Sequence, residues 1–378
     1  MPLSMPSLFE KPPLPNQTTP NKSDIKELHG DTFFAVTDEK LNIRGIEKTF
    51  TLFDILPKQP KSDASKILFA PGCACDAPIY SHALQKIAET GYPITTFNHP
   101  ETISKNRPLS EIYQDTISIM KRFLNHDTGH TPSSAELSER QSAMHSLVDA
   151  AQDTLAEKSD HIASIAEKKF SSEKIVGIAH SEGCINIVDA AIQHPDQYKG
   201  LVLIAPAGLI GPDSLQRLSG GFFGEWLASP ATLKDIPETP EERERKHAAS
   251  QKTLEHVASA PISTAREVLG ISESQIQEKL KKLRTLGIGI TIIAPADDRI
   301  FPQELMQKLV TADIIDGYFV VRGNHSTLET GLYTPAIEQS IEFFEKKEKR
   351  RNTTMLATPE HEDSSLTTNL RSSSTTKH

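Results

Sequence analysis

The stretch Lys174-Ile175-Val176-Gly177-Ile178-Ala179-His180-Ser181-Glu182-Gly183-Cys184 decides how this chain folds. A short apolar run ends in Ala-His-Ser-Glu-Gly, and a helical pattern follows at once over 183–194. That order reads as a buried strand, a sharp turn carrying one serine, and a helix. The turn forces the backbone of Ser181 into a strained conformation. Small residues two positions to either side, Ala179 and Gly183, let strand and helix pass close together.

Outward from this turn the pattern repeats. Short apolar runs at 66–70, 92–97, 200–205, 288–295 and 317–322 read as strands, and a helix at about 79–90 is stopped by Gly91. Strands alternating with helices imply parallel pairing through right-handed crossovers. Ahead of them, 31–38 and 47–56 read as an antiparallel hairpin, with period-two alternation in Thr49-Phe50-Thr51-Leu52-Phe53.

Two of the later strands run directly into chemically active residues. Gly289–Pro295 leads into Ala296-Asp297-Asp298-Arg299-Ile300-Phe301-Pro302, and Tyr318–Val321 leads into Gly323-Asn324-His325. A serine, an acid and a histidine each follow an apolar strand, in that order. With the turn at Ser181, this series resembles the α/β-hydrolase family, in its serine-nucleophile branch with a helical cap. The resemblance covers roughly residues 30–348. It implies an α/β fold: a mostly parallel twisted sheet of about eight strands flanked by helices, with a helical cap inserted before the acid-bearing strand.

The resemblance also implies roles. Ser181 is the expected nucleophile and His325 its base. Asp297 and Asp298 compete for the acid; the family places it four residues before a proline, and Asp298 with Pro302 fits. The expected oxyanion donors are the backbone amides of Cys73, in the loop Pro71-Gly72-Cys73-Ala74-Cys75-Asp76, and of Glu182. Two positions depart from the pattern: Ala179 stands where glycine is usual, and Pro71 where histidine is usual. His180 is expected to point away from Ser181 and serve packing or a loop hydrogen bond. The aromatic cluster Phe222, Phe223 and Trp226 is read in two ways, as an acyl or aryl pocket and as the cap's own small core.

The reaction implied is acyl transfer to water from an ester-type substrate (carboxylester, lysophospholipid or thioester), with no metal or organic cofactor. Acyl transfer to another acceptor stays open. So does a binding protein that has kept the fold and lost turnover, which Ala179 and Pro71 motivate.

The boundaries expected are a disordered segment 1–28, a first core part 29–206, a cap 207–286, a second core part 287–349 and a disordered tail 350–378. The stretch 109–170 reads as helical, broken near 126–134. It is longer than one crossover helix, so 126–170 is set apart as a surface helical insertion.

Composition narrows the partners. The 378 residues are 37% hydrophobic and 24% charged, with a net charge of −9. An acidic chain repels phosphate backbones, so a small-molecule acyl substrate is expected and nucleic acid is not. The three cysteines, Cys73, Cys75 and Cys184, are too sparse for a disulfide framework and suit a reducing compartment. The opening residues hold Pro2, Pro6, Pro12, Pro13, Pro15 and Pro20 and lack the apolar core of a signal peptide. No run approaches the ~18 apolar residues of a membrane span. The expected location is cytoplasmic. The acidic 360–363 before a Ser/Thr-rich end faintly resembles export signals of bacterial secreted effectors.

Overall fold

The computed structural model describes residues 24–27, 31–100, 134–171, 173–228, 240, 244, 251–253 and 260–357. The strands are β1 (Asp24–Glu27), β2 (Thr32–Ile43), β3 (Ile46–Pro57), β4 (Ile67–Ala70), β5 (Ile94–Phe97), β6 (Ile175–His180), β7 (Tyr198–Ile204), β8 (Gly289–Pro295) and β9 (Gly317–Val321). They form one sheet in the order β1-β2-β3-β5-β4-β6-β7-β8-β9. From β5 to β9 every pairing is parallel; β1, β2 and β3 join antiparallel at one edge.

The leading hairpin forms as expected. Ile43 pairs with Ile46 across a two-residue turn in which Arg44 and Gly45 both have positive φ. That is the turn whose twist matches the flanking strands. β1 lies inside the segment expected to be disordered. Its sequence, Asp-Ile-Lys-Glu, carries no apolar alternation, and its register with β2 runs from Asp24–Val36 to Glu27–Phe33. The rest of 1–28, and the tail beyond 357, lie outside the described residues.

The described helices are α1 (Ser81–Glu89), α2 (Ser134–Phe170), α3 (Gly183–Gln193), α4 (Leu215–Ala228), α5 (Pro261–Glu273), α6 (Gln277–Thr285), α7 (Gln303–Leu309) and α8 (Thr334–Ala357). Side chains alternate across the strands, so each face of the sheet has its own core. Ile67, Phe69, Val176, Ile178, Val202 and Ile204 pack with α1 and α8. Leu68, Ala70, Ala179, Leu201, Leu203 and Ile292 pack with α2, α3 and α6.

Three boundaries differ from the sequence reading. Half of 126–170 is no surface insertion: Leu155, Ile162, Ala163, Ile165, Ala166 and Phe170 are buried in the core, and Ala151 is buried as well. This part of α2 is the crossover helix that enters β6; 126–133 lie outside the described residues. At the other end of the expected cap, α6 also covers the sheet, with Leu280 and Leu283 fully buried. The final helix runs to Ala357, past the boundary expected at 349 between core and tail.

Candidate active site

The parallel strands bring their C-terminal ends to one edge, where β4, β6, β8 and β9 release the loops that carry Cys73, Ser181, Asp298 and His325. Ser181 sits between β6 and α3 with φ of 55°, in the left-handed region that costs a non-glycine residue energy. Its amide bonds to the Ile204 carbonyl at 3.0 Å, and its carbonyl accepts from Cys184 and Ala207. Those bonds hold the strained turn. Gly183 explains the tightness: a Cβ there would lie 2.5 Å from the Pro71 carbonyl oxygen and 2.6 Å from that of Ala70. The turn and the loop after β4 therefore touch backbone to backbone.

Asp298 and His325 meet at the other side. His325 Nδ1 lies 2.9 Å from Asp298 Oδ2, and both side chains are buried. The second oxygen, Oδ1, accepts the amides of Ile300 and Phe301, each at 2.8 Å. The carboxylate is thus aimed by its own loop. Asp297 is exposed, and its amide bonds to Gly323. His325 begins a short 3-10 turn, His325–Thr330, whose capping box pairs Asn324 with Thr327. The Tyr333 hydroxyl donates to the Asn324 carbonyl at 3.0 Å.

His180 turns away from the serine, as expected, and both ring nitrogens are bonded. Nε2 lies 3.0 Å from the His325 carbonyl oxygen, and Nδ1 lies 2.9 Å from the Tyr80 hydroxyl. A carbonyl only accepts, so Nε2–H is the donor and Nδ1 accepts from Tyr80. The Tyr80 oxygen in turn accepts the Gly72 amide at 3.2 Å. Burial, with His325 beside it, holds the His180 ring well below its ordinary pKa and keeps it neutral. One chain of hydrogen bonds therefore links the loop after β4 to the backbone of His325.

Neither the Cys73 amide nor the Glu182 amide has a hydrogen-bond partner among the described residues. The Cys73 thiol is buried, and burial together with Glu267 and Glu182 pushes its pKa well up. It is a thiol, not a thiolate. Cys73, Glu182 and Glu267 offer potential ligand atoms within 4.8 Å of one another. The Lys158 ammonium already stands among them, 2.9 and 3.0 Å from the two carboxylates, so this cluster carries its own cation. The sequence reading missed Lys158 and Glu267. Neither stands in a motif of the sequence.

Phe222 on α4 is half-buried and packs against the larger core. The side chains of Phe223 and Trp226 lie outside the described residues. A groove of about 600 Å³ between α2, α3 and α6 is lined by Leu155, Ile185, Asp189, Ile276 and Lys279, and by neither Ser181 nor His325. No helix among the described residues is long and apolar enough to cross a membrane.

The model of one family, described as serine hydrolase, matches residues 120–329, more than half of the chain. The chain belongs to the serine hydrolase family. The match spans α2, the turn that carries Ser181 between β6 and α3 (the elbow), the loop with Asp298, and His325. No curated protein matches the sequence. Among solved structures, a thermophilic esterase from Thermogutta terrifontis superposes with a TM-score of 0.51 at 14% identity, over 82% of this chain and 99% of that one. A hydrolase from Oleispira antarctica gives 0.49 at 13% identity, over 78% and 94%. At 14% identity the likeness to the esterase speaks to the fold alone, and the fold of this serine hydrolase is the α/β-hydrolase fold.

Proposed function

We propose that this serine hydrolase cleaves an ester-type bond through Ser181, His325 and Asp298 and a covalent acyl-enzyme. The observation that carries the proposal is the Asp298–His325 pair at 2.9 Å, on the same sheet edge as the strained Ser181. With Nδ1–H donating to Asp298, the basic nitrogen is Nε2. In the first half-reaction His325 takes the Ser181 proton as Oγ attacks the acyl carbonyl. The Cys73 and Glu182 amides receive the oxyanion, and the imidazolium then protonates the leaving oxygen. In the second half His325 takes a proton from water, which attacks the acyl-enzyme carbonyl; the acid leaves as the imidazolium returns that proton to Ser181 Oγ.

In this reading the residues from α4 to α5 form the cap over the site, and Phe222, Phe223 and Trp226 line the acyl pocket. The substrate is a small acyl ester. Three unpaired cysteines suit a reducing compartment, and the cytoplasm is the proposed location.

The test is hydrolysis of p-nitrophenyl esters of graded acyl length by the native protein and by Ser181→Ala. Loss of about 10⁴-fold or more in kcat is expected, since triad members act as a unit. Equal turnover by both proteins would remove Ser181 from the reaction, and none by a folded native protein across the series would leave the binding-protein reading.

A further inference from the structure

Beside the elbow lies a second group of buried charges that the triad does not use. Lys158 on α2, Glu182 at the elbow and Glu267 on α5 are 5%, 0% and 4% exposed. Lys158 Nζ donates to the two carboxylate oxygens of Glu182 at 2.9 and 3.1 Å, and lies 3.0 Å from Glu267 Oε1. Each carboxylate has a further tie. Asn186 donates to Glu182 Oε1 at 2.9 Å, and the Ala74 amide donates to Glu267 Oε2 at 3.3 Å.

Burial opposes the charge on Lys158, but Glu182 and Glu267 outweigh it and hold the ammonium above its ordinary pKa. Of the carboxylates, burial pushes Glu182 up, while Lys158 overcomes burial and draws Glu267 down. Such a group is costly to desolvate, and well-packed apolar side chains serve stability as well or better. What charges supply is direction. Here they connect the two loops that carry the Cys73 and Glu182 amides, which have no hydrogen-bond partner among the described residues. Ala74 adds a reason for the tie. Its φ is 52°, a conformation that persists only where neighbours impose it. The loop is gripped on both sides of Cys73: Gly72 by Tyr80, and Ala74 by Glu267.

We propose that Lys158 is a positioning residue that sets the spacing between the Cys73 and Glu182 amides, holding the first through Glu267 and Ala74 and the second through Glu182 itself. The proposal rests on the oxyanion reading above. It also makes α5 part of the catalytic geometry, since Glu267 reaches the loop from that helix.

The experiment compares native protein, Lys158→Met and Glu267→Gln. Three readouts are taken: labelling rate with a fluorophosphonate probe, kcat and KM for a p-nitrophenyl ester, and amide hydrogen exchange over residues 71–76. Removing one oxyanion donor outright costs about 10²–10³ in kcat, so Lys158→Met, which displaces donors without deleting them, should cost roughly 10- to 100-fold in labelling rate and kcat. KM should stay near native, because the amides act on the transition state. Exchange over 71–76 should speed up. Glu267→Gln keeps the volume and one acceptor and should show a smaller loss of the same kind.

Ile337→Ala, in the core on the opposite sheet face, controls for lost stability and should label at the native rate. A folded Lys158→Met that labels at the native rate overturns the proposal, as does a rise in KM at unchanged kcat. Should Lys158→Met not fold, native-rate labelling by Glu267→Gln overturns it. If native protein neither labels nor turns over, the proposed reaction fails, and the exchange result alone decides: unchanged protection over 71–76 in Lys158→Met or Glu267→Gln ends the inference.

Discussion

The two ends of the site are built differently. At the β8–β9 end, one carboxylate meets one imidazole, and two amides of its own loop aim that carboxylate. At the β4–β6 end, one ammonium is shared by two carboxylates, and a side-chain amide donates to one of them and a backbone amide to the other. The first end must change charge in every turnover of the proposed reaction. The second must hold still while an oxyanion forms beside it. Light pairing suits a group that passes a proton, and dense pairing suits a frame. His180, between them, belongs with the frame: both of its nitrogens are bonded, one toward each end.

Substitutions at each end should separate these roles. The largest effect is expected at the proton-handling end. Asp298→Asn should lower kcat by about 10⁴, since the imidazole loses its tautomer and its counter-charge. Asp297→Asn, exposed and without contact to the ring, should remain near native. Equal losses in parallel kinetics would erase the distinction between the two aspartates. At the frame end Lys158→Met should cost far less, at native KM, as set out above.

Gly183→Ala tests the backbone contact between elbow and loop. Its Cβ would sit 2.5 Å from the Pro71 carbonyl oxygen, and backbone cannot step aside cheaply. Overpacking of this kind costs about 1–3 kcal/mol, to be read from urea melts. A variant as stable as native would mean the contact is loose.

The smallest effect is on stability against pH. Burial lowers the pKa of His99, His161 and His180 below the ordinary histidine value of about 6.5. The unfolded chain binds protons on these rings below about 6.5, and the folded chain resists. Stability from them is therefore full above that pH and declines as pH falls through and below it. Thermal melts between pH 7.5 and 5.5 should show a falling midpoint, with a shallower fall in His99→Gln. A flat profile would argue that these rings titrate normally.

Much of the proton-handling end was legible from local pattern. Ser181 announced itself because a strand period changes to a helix period across one turn. His325 and the aspartates each follow an apolar strand; local pattern left Asp297 and Asp298 open, and the family resemblance, through Pro302, pointed to Asp298, the one that meets the histidine. The frame end was not legible, for a physical reason. The stripe of α2 that faces the core, Ala151, Leu155, Ile162, Ala163 and Ala166, is interrupted by Lys158, Ser159 and His161, all buried as well. The stretch was set apart as an insertion for its length, and a charge inside the amphipathic pattern gave no sign that its second half covers the sheet. The carboxylates that pair with Lys158, on Glu182 and Glu267, come from distant segments that only the folded sheet brings together. The helices between β7 and β8 posed a similar problem. α6 has the same amphipathic period whether it covers the sheet or forms a cap, and only the burial of Leu280 and Leu283 separates the two.

The most direct test of the account is to treat the native protein with a fluorophosphonate probe and locate the adduct by peptide mass spectrometry. The account predicts one adduct, on Ser181, absent in Ser181→Ala and slowed in Lys158→Met. An unmodified Ser181 in folded protein, or an adduct on another residue, would contradict it.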